Sequence, residues 1–203
     1  MTTREAFIAR IRAAHPAPRP LPQVPIFRAP DGDRVMRFSA ALGMMGGLCV
    51  AAAEPDDIQK WLATRFGAEA VIASAVPGID GNRPLGALTP PASLQDVEVG
   101  LVRARFGVAE TGSVWFSEDE YVVNAIGYLV QHLVVLLDPA TIVDGLQDVY
   151  RRADFSTARY AVLVTGPSAT ADIEGVMIRG AQGVRSLTVV LVATPPGNSR
   201  RLG

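Results

Sequence analysis

The 203 residues include a single cysteine, Cys49, and only two histidines, His15 and His132. One thiol cannot close a disulfide within the chain, nor supply the ligands of an iron–sulfur cluster or a Cys-rich zinc site. Cys49 itself sits in the apolar run GGLCVAAA and reads as an inert core thiol. The two histidines are differently placed, and neither His-x-x-x-His nor HExxH occurs, so no metal-ligand cluster emerges. The GxGxxG fingerprint, the Walker lysine with its glycine spacing and the GxSxG elbow are absent too. An excess of one charge is also missing: Lys plus Arg number 19 against 20 Asp plus Glu, a formal net charge of −1. With no basic stripe laced with aromatics, nothing points to nucleic acid. The longest apolar stretch, Ala40–Ala53, falls short of the roughly 20 residues of a membrane span and is broken at Gly46–Gly47. The opening MTTREAFIARIRAAHP reads as a charged amphipathic helix rather than a signal core. The expectation is a cytoplasmic chain without a membrane partner.

What is present describes an α/β protein. Hydrophobic residues make up 49% and charged ones 19%, ample for one core. Phe7, Ile8 and Ile11 form one stripe of a helix over Thr3–Ala14, and the proline-rich stretch Pro16–Pro25 follows. Residues 1–32 therefore form an arm and linker, 33–193 the main domain, and 194–203 a disordered tail. Within the domain the pattern predicts a helix from Asp33 to Met45, the strand LCVAA, and a helix opened by Glu54-Pro55-Asp56-Asp57 and ended at Gly67. AVIAS at Ala70–Ser74 reads as a further strand. Pro77–Pro91 reads as loop, and Val97–Phe116 as β segments with a tight turn at Glu110-Thr111-Gly112. His132–Asp138 reads as a strand, Pro139–Arg152 as a helix, Ala161–Thr165 as a strand leading into another helix, and Ser186–Val192 as the last strand. Short apolar runs alternating with helices imply a mostly parallel sheet covered on both faces.

Three places could carry chemistry. The first is the turn TGPSATADIE, Thr165–Glu174, after the run YAVLV. Ligands of parallel sheets gather beyond strand carboxyl ends, where loop amides meet a helix N-terminus. Thr165, Gly166, Pro167, Ser168 and Thr170 would line such a turn, with Asp172 and Glu174 shaping it. The alternative is that Ser168 or Thr170 merely caps the helix. The second is Glu110, set between two apolar β runs. It is either an acid/base group or nucleophile, or a structural acceptor for turn amides. Thr111 and Gly112 beside it let a ligand approach the backbone. The third is His132, leading into a strand, either a ligand contact or a hydrogen-bonded core residue.

The blocks FGVAETGSVWF and VTGPSATADIEGVMIRGAQGVRSLTVVLV resemble the two signature segments of the lactate-utilization protein C family, the LUD domain. The resemblance implies a three-layer α/β/α fold similar to ribose-5-phosphate isomerases and CoA transferases. It implies a link to oxidation of L-lactate to pyruvate, in an accessory or substrate-handling role. Iron–sulfur clusters would then reside in partner subunits, with no cofactor bound by this chain. Two alternatives stay open: a stand-alone enzyme of isomerase or CoA-transferase-like type using Glu110, and an interaction module with a degenerate site. Self-association is also left open. The chain departs from the family at Ala169, where a basic residue is usual, and around Gln182, where a histidine is usual.

Overall fold

The computed structural model describes residues 3–193 other than 18, 21, 24, 28, 29, 52–54, 153 and 173. The expected tail at 194–203, the end of the LCVAA strand and Glu54 as a helix-opening acid lie outside the described residues.

The first helix, α1 (Thr3–Ala14), contains no buried residue. Phe7 and Ile11 are 59% and 45% exposed, so the apolar stripe stays largely uncovered. Helix α2 (Arg34–Met44) begins where the Asp33 carboxylate accepts the Met36 N–H at 2.8 Å, an N-cap. It ends at Gly46, whose φ of +86° turns the chain out of the helix. Phe38, Ala41 and Leu42, spaced i, i+3 and i+4, form its buried face.

The chain then enters strand β1 (Leu48–Ala51), helix α3 (Pro55–Phe66) and strand β2 (Ile72–Ser74). Strands β3 (Val99–Arg103), β4 (Phe106–Val108) and β5 (Ser113–Ser117) precede two short helices, α4 (Glu118–Tyr121) and α5 (Ile126–Leu129). Strand β6 (His132–Leu137) leads through a 3-10 turn to α6 (Leu146–Tyr150) and α7 (Asp154–Thr157). Strands β7 (Ala161–Val164), β8 (Ala169–Thr170), β9 (Ile178–Arg179) and β10 (Ser186–Leu191) complete the chain.

Five strands form a wholly parallel sheet in the order β1-β10-β6-β3-β2. Its central strands HLVVLL and SLTVVL are nearly continuous apolar runs because both faces are covered. On one face Ile58 and Leu62 of α3 pack on Val99, Leu101, Val134, Leu136 and Val190. On the other, Phe38 and Leu42 of α2 join Leu133, Val135, Leu137, Leu187 and Val189. The expected α/β class and three-layer arrangement are present, with one elaboration. The α2 side also carries an antiparallel sheet, β4-β5-β7, whose outer surface closes over Phe106, Val108, Trp115 and Val149.

Three expectations are corrected. Strand β7 pairs antiparallel with β5, Val114 opposite Val164, and does not enter the parallel sheet. No helix follows it among the described residues. Gly166 (φ +64°), Glu174 (φ +54°) and Gly175 (φ +70°) adopt left-handed conformations that a right-handed helix excludes, and β8 pairs with β9 instead. The helix expected over Pro139–Arg152 is a 3-10 turn at Pro139–Thr141 and the short α6. Between them Val143 donates its N–H to Gly107 O and accepts from Ala109 N, so tertiary pairing overrides the helical spacing.

Candidate functional site

The hairpin β4–β5 sets Val108 opposite Ser113, with the turn at Ala109–Gly112 between them. Pairing of β5 with β7 then carries Thr165 to that turn. The Thr165 hydroxyl lies 3.1 Å from Thr111 O and 3.2 Å from Gly112 O, and donates to them. Thr111 and Ser113 share a hydroxyl–hydroxyl hydrogen bond of 2.7 Å. The two loops expected to form one site, Glu110–Gly112 and Thr165–Ser168, are thus adjacent.

The junction is closed tightly by the end of α2. A Cβ at Gly112 (φ +66°) would overlap the backbone of Leu42, and one at Gly166 (φ +64°) would overlap the carbonyl of Met45. Both glycines are required by conformation and by contact at once. Gly166 and Pro167 are buried, whereas Thr165 and Ser168 are partly exposed. The Ser168 amide donates to Val184 O at 3.0 Å, and its carbonyl accepts from Gly180 N at 2.6 Å. Val184 stands two residues before β10, so the GPS turn lies against the amino edge of the parallel sheet, not beyond its carboxyl edge.

Glu110 is exposed, and its Oε2 accepts the Leu146 N–H at 2.9 Å, at the first residue of α6. The Glu110 amide donates to Asp144 O at 3.0 Å. Its carboxylate therefore ties the hairpin turn to a helix start, where negative charge suits the helix dipole. Thr170 accepts the Asp172 N–H at 3.3 Å, while Asp172 and Glu174 are exposed in the β8–β9 connection.

His132 stands apart. Alternation along β6 places it with Val134 and Leu136 on the α3 face, where its ring packs 5.1 Å from Phe66. The GPS turn lies on the other face. His132 Nδ1 and Ser186 Oγ are 2.7 Å apart across β6 and β10. Burial, reinforced by the charges of Arg65 and Arg185, pushes its pKa below the usual histidine value despite Glu98.

Two features were not legible in the sequence. Arg179 lies directly opposite Ala169 in the β8–β9 register, so the hairpin carries a guanidinium across from the position where a basic residue was missing. That guanidinium lies over Gly46, at the carbonyl end of α2. Tyr128 and Tyr160 join through their hydroxyls near the buried Tyr121, whose phenol is pushed up by burial. Their spacing of 7 and 32 residues gave no local signal. Cys49 is half-buried and its thiol is raised by burial. Among the described residues no group of three His, Cys, Asp or Glu side chains could hold a metal ion. No described helix is long and apolar enough to cross a membrane.

A parallel five-stranded sheet between helical layers, with a hairpin turn and a Gly-Pro-Ser turn brought together, defines a three-layer α/β protein. Residues 92–192 match the LUD domain family model, a segment that holds both turns, and through it the chain belongs to the LUD domain family. The fold is shared with the crystal structure of a DUF162 family protein from Deinococcus radiodurans. That match has a TM-score of 0.57 and 15% identity, and covers 79% of this chain and 96% of the other. No curated protein matches the chain.

Proposed function

We propose that the chain is a lactate-utilization-associated protein, an accessory or substrate-handling component in oxidation of L-lactate to pyruvate. The LUD domain match over residues 92–192 carries this reading. With one cysteine in 203 residues, the iron–sulfur clusters of such a system would belong to partner subunits. Thr111, Thr165, Ser168 and Thr170 are assigned to the substrate-facing surface, with the buried Gly112, Gly166 and Pro167 shaping the turns behind it and Asp172 and Glu174 at its rim. The contact of Thr165 with both Thr111 O and Gly112 O supports treating the two turns as one unit. Glu110 contributes by holding the turn to α6, and its Oε1, which has no described partner, is the atom open to a substrate hydroxyl. His132 is assigned no substrate contact.

The test is thermal unfolding of the full chain with L-lactate, pyruvate, CoA thioesters or sugar phosphates. A ligand at about 100 times its dissociation constant adds roughly 2.7 kcal/mol. For a domain of this size that raises the midpoint by about 5–10 °C. A shift with lactate or pyruvate that is lost in Glu110→Gln supports the reading. A shift confined to CoA thioesters or sugar phosphates overturns it and favours a stand-alone transferase or isomerase.

A further inference from the structure

Six arginines of the described residues touch a carboxylate: Arg34, Arg37, Arg83, Arg105, Arg152 and Arg159. Arg103 does not, although its residue is partly buried and its Nη1 is shielded from solvent with no hydrogen-bond acceptor. A buried N–H left without an acceptor costs about 1–3 kcal/mol, and more where the group is charged. The desolvated guanidinium is pushed below the usual arginine pKa, and only the charge of Asp138 opposes this. The Asp138 carboxylate accepts the Ala140 N–H at 2.9 Å.

The position of this cation narrows what it is for. Arg103 is the last residue of β3, in register with Leu136 of β6. It therefore stands at the carboxyl edge of the parallel sheet, between β6 and β2, where open parallel sheets bind their ligands. Alternation from Val99 and Leu101 directs it to the α3 face. Helix α3 follows β1 and runs back along the sheet, so its amino end faces this same edge.

We infer that Arg103 anchors a second binding site, at the carboxyl edge of the sheet, for the carboxylate of a small monoanionic organic acid. The planar guanidinium matches a carboxylate through two parallel N–H···O bonds. Among the described residues Asp138 is the carboxylate within electrostatic reach of Arg103, so a multiply charged phosphate meets repulsion that a single carboxylate meets least. The ligand class rests on the organic-acid reading given above; the anion site itself does not.

The experiment titrates L-lactate, acetate and inorganic phosphate into the full chain and into Arg103→Gln, with Arg179→Gln as the control. Thermal midpoint and calorimetric affinity are read together. The expected result is that carboxylates raise the midpoint of the parent and of Arg179→Gln, and that Arg103→Gln binds at least tenfold more weakly. Acetate and lactate binding equally, both lost in Arg103→Gln, supports the site while removing the lactate reading. Phosphate binding in place of carboxylates, unchanged affinity in Arg103→Gln, or no anion binding by the parent overturns the inference. Should Arg103→Gln fail to fold, Arg103→Lys keeps the charge without the planar fork and carries the same comparison.

Discussion

At the amino edge of the parallel sheet the chain closes upon itself: Ser168 N–H meets Val184 O, and Gly166 leaves no space above Met45. At the carboxyl edge Arg103 keeps a buried N–H with no acceptor. The first region is dense because glycines let three backbones approach. The second retains an unmet polar demand in a place where filling it needs nothing but a small anion. Close packing and an unmet hydrogen-bond demand are thus divided between opposite ends of one sheet.

The comparison breaks most sharply at Gly112. Gly112→Ala imposes a left-handed alanine and an overlap with Leu42, and should cost about 2–5 kcal/mol in urea unfolding. Gly43→Ala in α2, where an added Cβ meets nothing within 4 Å, should instead stabilise by up to about 1 kcal/mol. Equal effects of the two would show that the junction is loosely packed. Next comes Arg105, which bonds Glu120 at 2.7 Å and Asp154 at 3.0 Å and lies over Trp115 at 4.9 Å. Arg105→Met removes the ion-pair partner of Glu120, whose side chain is only 13% exposed, and leaves Asp154 with Arg152 alone, and should cost about 2–3 kcal/mol. A loss under 0.5 kcal/mol would place this network among ordinary surface pairs.

A smaller effect follows from acid. Glu118 accepts the backbone N–H of Tyr160 at 3.0 Å and of Arg159 at 3.2 Å. Hydrogen bonds from its own amide and from these two lower its pKa from 4.5 to about 2. The folded state is then the weaker proton binder, so this stabilisation is complete above pH 4.5 and fades as pH falls towards 2. Glu118→Gln should flatten the stability profile in that window, and an unchanged slope would show that other carboxylates govern acid unfolding. Smallest of all, Arg103→Met without ligand should leave stability within about 0.5 kcal/mol of the parent or raise it by about 1 kcal/mol, because the desolvated charge is removed. A clear loss would mean that Arg103 is structural.

Local signals placed what local physics decides. The start of α2 near Asp33, the Gly46 stop and the turn at Glu110-Thr111-Gly112 were legible because each rests on the conformational preferences of a few neighbouring residues. The helix expected after Val164 failed because the pairing Ala169↔Arg179 spans ten residues, and consecutive left-handed residues at Glu174 and Gly175 cannot be read from composition. Arg103 gave no signal at all. Its isolation depends on which carboxylates do not reach it, a property of the whole assembled edge.

Strand β10 occupies the slot between β1 and β6, pairing Cys49 with Val189 and Leu133 with Leu187. The first strand of the sheet consequently has no neighbour until the last has been synthesised. During translation, at about 5–20 residues per second, the sheet waits as two separated pieces with an open seam. Any other extended segment has that interval in which to pair at the seam before the chain's own final strand seals it.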